Sequence, residues 1–274
     1  MYTEASPMPP LTPPASNHRH DGVQPPGMWA ALGLIVFYFA LQVVSGTLIV
    51  LLIGIAEGFT HVLQGTANLH AVLRTVPAMP AITAIFTLMV SASLTLLMAY
   101  RKWPRLWSMA LPPGLGFVLP ARPLYFVLAI AAGLAAPVLG GLLTQLLAHG
   151  HKVSQDIQQL GGQTSSGLRI PLMLTVTSVG PLVEELLFRG VLLSALMQRW
   201  RVGQAAAISS LAFALVHLPG LQWQWYALPD LLLLALALGW LRLRSGSIWP
   251  SVLAHGVNNL LAVAAWFVAV NLPG

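Results

Sequence analysis

Seven apolar runs fill most of this sequence, at roughly 28–55, 78–100, 123–148, 171–198, 203–219, 226–241 and 247–271. A helix that crosses a bilayer needs about 20 mostly apolar residues. Most of the runs reach that length, and the fifth and sixth fall short of it. Only 7% of residues are charged and 57% are hydrophobic, whereas a soluble domain carries about 25% charged residues. So few charges cannot cover the surface of a soluble fold. The chain is therefore expected to be all-α, a polytopic transmembrane helical bundle of about seven spans. The absence of Cys excludes a disulfide framework and thiol chemistry.

Residues 1–27 are rich in Pro and have no long apolar run. They are expected to form a disordered cytoplasmic tail, followed by a transmembrane domain over 28–274. The third run carries Gly133, Gly140 and Gly141, which permit close helix packing.

The net charge is +6. In a soluble chain that excess would suggest nucleic acid, but here the cations lie between apolar runs and no nucleic-acid partner is implied. Nine of the 13 Lys and Arg fall on one side of the alternating loops: Arg19, Arg101, Lys102, Arg105, Arg122, Arg199, Arg201, Arg242 and Arg244. Arg74, Lys152 and Arg169 fall on the other, and Arg189 lies within a run. Cytoplasmic loops concentrate Lys and Arg. The expectation is a multi-pass protein of the plasma (inner) membrane with a cytoplasmic N-terminus. Trp223 and Trp225 fit an interfacial belt.

Two of the seven acids, Glu184 and Glu185, lie near the middle of the fourth run in GPLVEELLFRGVL. Each is about 20 Å from either end of that run at 1.5 Å per residue. An ionisable group at that depth costs at least about 2.5–3.5 kcal/mol, and its default reading is functional. Glu185 and Arg189 are four residues apart and share a helix face, so they can pair. Glu184 points about 100° away. Its i+4 neighbour is Phe188, which cannot neutralise it. Glu184 is thus the candidate general base, with Glu185 and Arg189 as a supporting pair. Pro181, one turn earlier, frees a carbonyl and can kink the helix.

His217 ends the fifth run in FALVHLPG, and His255 lies in the seventh in SVLAHGVNNL. Phe213 and His217 are i,i+4, as are His255 and Asn259. Counted from the expected cytoplasmic ends, Glu184, His217 and His255 lie about 20, 21 and 12 Å deep. These depths allow a meeting if helices tilt.

The motifs EELLFR (Glu184 to Arg189), FALVH (Phe213 to His217) and HGVNN (His255 to Asn259) match EExxxR, FxxxH and HxxxN in order and spacing. In this the chain resembles the CPBP family of intramembrane proteases, also called the CAAX-protease, bacteriocin-processing or Abi family. The likeness covers about residues 171–262, a protease-like core. It implies an intramembrane endopeptidase acting on a membrane-associated or lipidated protein or peptide, with CAAX-type processing as the family's best-known activity. It implies Glu184 as the water activator, His217 as its assistant, and His255 with Asn259 as stabilisers of the oxyanion. Glu185, Arg189 and Phe213 support them.

The family is often labelled metalloprotease. Glu184, His217 and His255 could form a His2Glu zinc set with an open position, although no HExxH helix is present. A divalent metal is therefore an open alternative to water activated by Glu184 alone. Two other functions compete. One is a non-catalytic membrane scaffold or bacteriocin-immunity-type protein. The other is a proton-coupled transporter, against which stands the absence of a repeated half with broken helices.

Overall fold

The computed structural model describes residues 24–63, 79–149, 160 and 164–268. The expected disordered tail falls mostly outside the described residues. Seven helical stretches follow the seven apolar runs in order. They are α1 (Met28–Leu63), α2 (Met79–Lys102), α3 (Leu124–Ala148), α4 (166–196), α5 (Val202–Val216), α6 (Leu228–Ser245) and α7 (Trp249–Val268). No strand occurs among the described residues. The chain forms a helical membrane bundle. By length and composition, Met28–Ala56, Met79–Lys102, Leu124–Ala148 and Trp225–Ser245 can each cross a membrane.

The bundle is built around α4. Every residue from Glu185 to Leu196 is buried, which is how an apolar run packed on all sides reads. By contrast, α1 and α3 expose Val36, Val43, Ile55, Val127, Val138 and Leu146. Apolar surface of this kind belongs against lipid tails. The run Leu231–Leu238 divides between both environments: Leu234, Ala235 and Leu238 are buried, while Leu233 and Leu236 are exposed. Trp223 and Trp225 are exposed, as interfacial indoles are.

The helix α4 is one rod with two wide segments, where π-helical turns replace α turns at Thr175–Val179 and Leu186–Leu192. The bend expected at Pro181 is thus taken up one turn earlier as a change of register. Gly180 N–H donates to Thr175 O, five residues back. The next amide in that register would serve Val176 O. It belongs to Pro181 and has no hydrogen.

Small residues let helices touch. A Cβ on Gly133 would collide with Ala254 O of α7, and one on Gly140 would collide with Asp230 of α6. Gly141 differs from the expectation, because nothing lies within 4 Å of its Cβ position.

The α2–α3 connection is a folded plug at one end of the bundle. Trp103, Leu106 and Leu115 are buried in it. Arg242, read from the sequence as a loop cation, is in fact fully buried in the last turn of α6. Its guanidinium donates to Ala110 O at 2.6 Å and Gly114 O at 2.7 Å. Ser247 Oγ donates to Val118 O, and Ile248 N–H donates to Gly116 O. These contacts dock the connection onto the α6–α7 turn.

The close α3–α7 approach makes a test. Gly133→Val should destabilise the protein by about 1–3 kcal/mol, the usual cost of overpacking. Gly141→Val should stay within about 0.5 kcal/mol of the parent, as at an uncrowded position. Thermal unfolding in detergent reads the difference.

Candidate active site

The chemistry-bearing residues enter from three helices. Glu184, Glu185 and Arg189 come from α4, Phe213 and His217 from the end of α5, and His255 and Asn259 from α7. The structure brings all of them together. Glu185 is the buried anchor. Its Oε1 accepts from Arg189 Nη1 at 2.9 Å and from His255 Nδ1 at 3.0 Å. Arg189 Nη2 donates to Ala235 O of α6 at 3.0 Å. Glu185 and Arg189 are 0% and 1% exposed. A buried charge is tolerable only when paired and hydrogen-bonded, and this pair is both.

Phe213 explains why an aromatic residue precedes His217 by one turn. Its fully buried ring lies 4.6 Å from the His217 ring and 5.5 Å from the His255 ring, centroid to centroid. The Arg189 guanidinium carbon sits 4.4 Å from the same centroid, a cation–π contact. One ring therefore backs both imidazoles and the arginine.

His217 closes α5. The helix tightens there, and His217 N–H donates to Ala214 O. The Phe213 carbonyl is instead met at 2.7 Å by the Nδ1 of the His217 side chain. A carbonyl can only accept, so Nδ1 carries the hydrogen. The same logic holds for His255, whose Nδ1 faces a carboxylate paired to Arg189. In their neutral forms both rings then present a bare Nε2. Both Nε2 atoms point at one atom, Glu184 Oε2, which lies 3.5 Å from His217 and 3.8 Å from His255. Three nitrogen and oxygen atoms that can each accept a hydrogen bond therefore converge at one point of the site.

Asn259 is fixed by the backbone irregularity of α4. Its Nδ2 donates at 2.9 Å to Val176 O, the carbonyl left without an amide by Pro181. Its Oδ1 lies 3.4 Å from Asn258 Nδ2. One N–H of the Asn259 amide remains for another acceptor. Gly256 permits this meeting of α4 and α7, since a Cβ there would lie 2.5 Å from Thr177 O.

Glu184, His217, His255 and Asn259 line a cavity of about 630 Å³. Asn258 and Asp230 also line it. Asp230 sits in the first turn of α6. By sequence it is an ordinary helix-end charge, and nothing in LPDLLLL marks it as a cavity residue. Apolar walls come from Leu88, Val138, Leu231 and Leu261.

The zinc set considered from the sequence is not supported. Among the described residues, no group of three or more His, Asp or Glu is disposed to hold a metal ion. Glu184 Oε2 lies 3.5 and 3.8 Å from two imidazoles that are each tied at Nδ1.

Residues 166–261 match the family described as type II CAAX prenyl endopeptidase Rce1-like. The chain is also similar to a protein of Bacillus subtilis (strain 168) named "Putative membrane peptidase YdiL", with 36% identity over 101 residues. Both likenesses support a CPBP-type core over residues 166–261. The match to YdiL takes in 34% of this chain and 37% of that protein, so the likeness spans little more than a third of each. No solved structure matches. The matched segment holds all three motifs and the α4, α5 and α7 residues of the site.

The buried anchor yields a prediction. Glu185→Leu or Arg189→Met alone should cost about 3–5 kcal/mol, because each leaves an uncompensated buried charge. The double variant should lose less than the sum of the two, as coupled neighbours do. Glu184→Gln should leave stability nearly unchanged. Unfolding of the four proteins in detergent measures this.

Proposed function

We propose that this protein is an intramembrane endopeptidase that hydrolyses a peptide bond of a membrane-associated protein with water activated by Glu184. The observation that carries the reading is the convergence of Glu184 Oε2 and the Nε2 atoms of His217 and His255 at one wall of a cavity within the bundle. A water molecule bound there would donate one hydrogen to Glu184 and the other to His217. Its lone pair would then be free for a carbonyl carbon.

As the water oxygen attacks, Glu184 takes its proton and the carbonyl oxygen becomes an oxyanion. The free N–H of Asn259 is a donor for that oxyanion. His255 is a second donor once its Nε2 has taken a proton from solvent before the attack, with Glu185 balancing the imidazolium through Nδ1. Donors aimed at a developing oxyanion usually contribute more to such catalysis than any other single effect. Glu184, relayed by His217, returns the proton to the leaving nitrogen. The C–N bond breaks to a carboxyl and an amine. The matched family and the peptidase named in the comparison support the reaction class. The apolar cavity walls suit a bond held in a membrane-embedded segment.

The test is cleavage of a membrane-anchored peptide library in liposomes by the purified protein. Glu184→Gln should lower the rate by at least about 10²–10⁴-fold, the range for loss of a general base. Asn259→Ala should lower kcat by about 10²–10³-fold, as for a lost oxyanion donor. A chelator should leave the parent rate unchanged. Undiminished cleavage by folded Glu184→Gln would end the proposal.

A further inference from the structure

One carboxylate of the cavity has no part in the reaction above. Asp230 lies in the first turn of α6, where an acid usually faces water and serves the helix dipole. Here it is turned into the bundle instead. It is half-buried, and α3 comes so close that a Cβ on Gly140 would collide with its side chain and its Cα. Asp230 lines the cavity beside Gly220, Leu221 and Leu231. Among the described residues its carboxylate has no hydrogen-bond or ion-pair partner. Glu185, by contrast, is bonded to both Arg189 and His255. A carboxylate withdrawn from water and left unpaired is costly. Inside a membrane bundle such a residue marks a functional site by default, with a partner to be named.

The cavity wall does not supply that partner. Glu184 and Asp230 are its two acids among the lining residues, and no Lys or Arg stands with them. Neither imidazole is available. Their Nδ1 atoms are taken by Phe213 O and Glu185, and their Nε2 atoms face Glu184. An acidic cavity without a cation is complementary to a cation on the molecule that enters it.

The position of Asp230 along α6 gives a length. It precedes Ala235 by five residues, and the Ala235 carbonyl is where Arg189 docks. Five residues rise about 7.5 Å along a helix axis. Extended chain rises about 3.3 Å per residue. Asp230 and the anchor that holds the reactive edge are thus separated by about two residues of extended substrate.

From the unpartnered Asp230 and the cavity that joins it to Glu184, we infer that Asp230 binds a Lys or Arg side chain of the substrate, about two residues from the bond that is cut. The inference rests on the peptidase reading and gives it a substrate class. The substrate is a membrane-associated segment with a basic residue next to an apolar stretch. Leu88, Val138, Leu231 and Leu261 meet the apolar part, and Asp230 sets which bond lies at Glu184.

Binding and cleavage are measured separately. Three single-span peptides are identical except for one residue at the end of the apolar stretch, which is Lys, Gln or Glu. Binding is measured to the full-length Glu184→Gln protein in detergent, which leaves Asp230 as the remaining acid among the lining residues. The Lys peptide should bind about 10–100-fold more tightly than the Gln peptide, the range for a charged hydrogen bond, and the Glu peptide should bind most weakly. Adding Asp230→Asn, which keeps the shape that fits against Gly140, should erase the difference. A packing role alone would weaken all three peptides alike and leave their ratio intact. Equal binding of the Lys and Gln peptides, or a Lys preference that survives Asp230→Asn, overturns the inference. The parent protein in liposomes should cleave the Lys peptide with a kcat/KM higher by a similar factor. If the charge preference appears in binding and the parent cuts none of the peptides, the peptidase reading fails while the Asp230 site stands. If all three are cut and binding is blind to charge, the Asp230 site fails and the peptidase reading stands.

Discussion

A single carboxylate oxygen, Glu185 Oε1, holds the centre of this molecule together. It accepts from Arg189 within α4 and from His255 of α7. Through Arg189 it reaches Ala235 O on α6 and the Phe213 ring of α5. Four helices are therefore joined at one buried charge pair. Such a pair gives little net stability relative to apolar packing, but breaking it is costly. What it supplies is position. Fixing His255 at Nδ1 turns its other nitrogen toward Glu184, and the reactive edge of the cavity follows from that.

The rest of the site is held by main-chain carbonyls that helix geometry leaves free. A carbonyl without an amide partner is expensive inside a membrane and must find another donor. The wide turn of α4 and the missing amide of Pro181 release Val176 O, and Asn259 takes it. The tightening end of α5 releases Phe213 O, and His217 takes it. In each case a side chain that the proposed reaction needs is oriented by a backbone irregularity. Such irregularities, π turns in particular, often mark functional sites.

Local spacing was the most legible part of the sequence. The Glu185–Arg189 pair needs only the four-residue rise of one helix, and the contact is where that rise puts it. The distinct direction of Glu184 was legible for the same reason. Depth was not. Counting residues put His255 about 8 Å shallower than Glu184, yet their side chains lie 3.8 Å apart. Rise per residue gives distance along an axis and says nothing of how the axis leans. Arg242 failed for another reason. A cation in the last turn of a helix reads the same whether it meets water or the carbonyls of a plug. The role of Asp230 in the cavity wall depends on the approach of α3 at Gly140, which no local pattern encodes.

The central claim is that both imidazoles carry hydrogen at Nδ1 and turn a bare Nε2 toward Glu184. Nitrogen-15 NMR of histidine-labelled protein at a pH where the rings are neutral reads this directly, with the two signals assigned from His217→Gln and His255→Gln. Both rings should be Nδ1–H tautomers, with Nε2 unprotonated. An Nε2–H tautomer at either ring would contradict this, because that imidazole would donate directly to Glu184 and the site for an activated water would be lost.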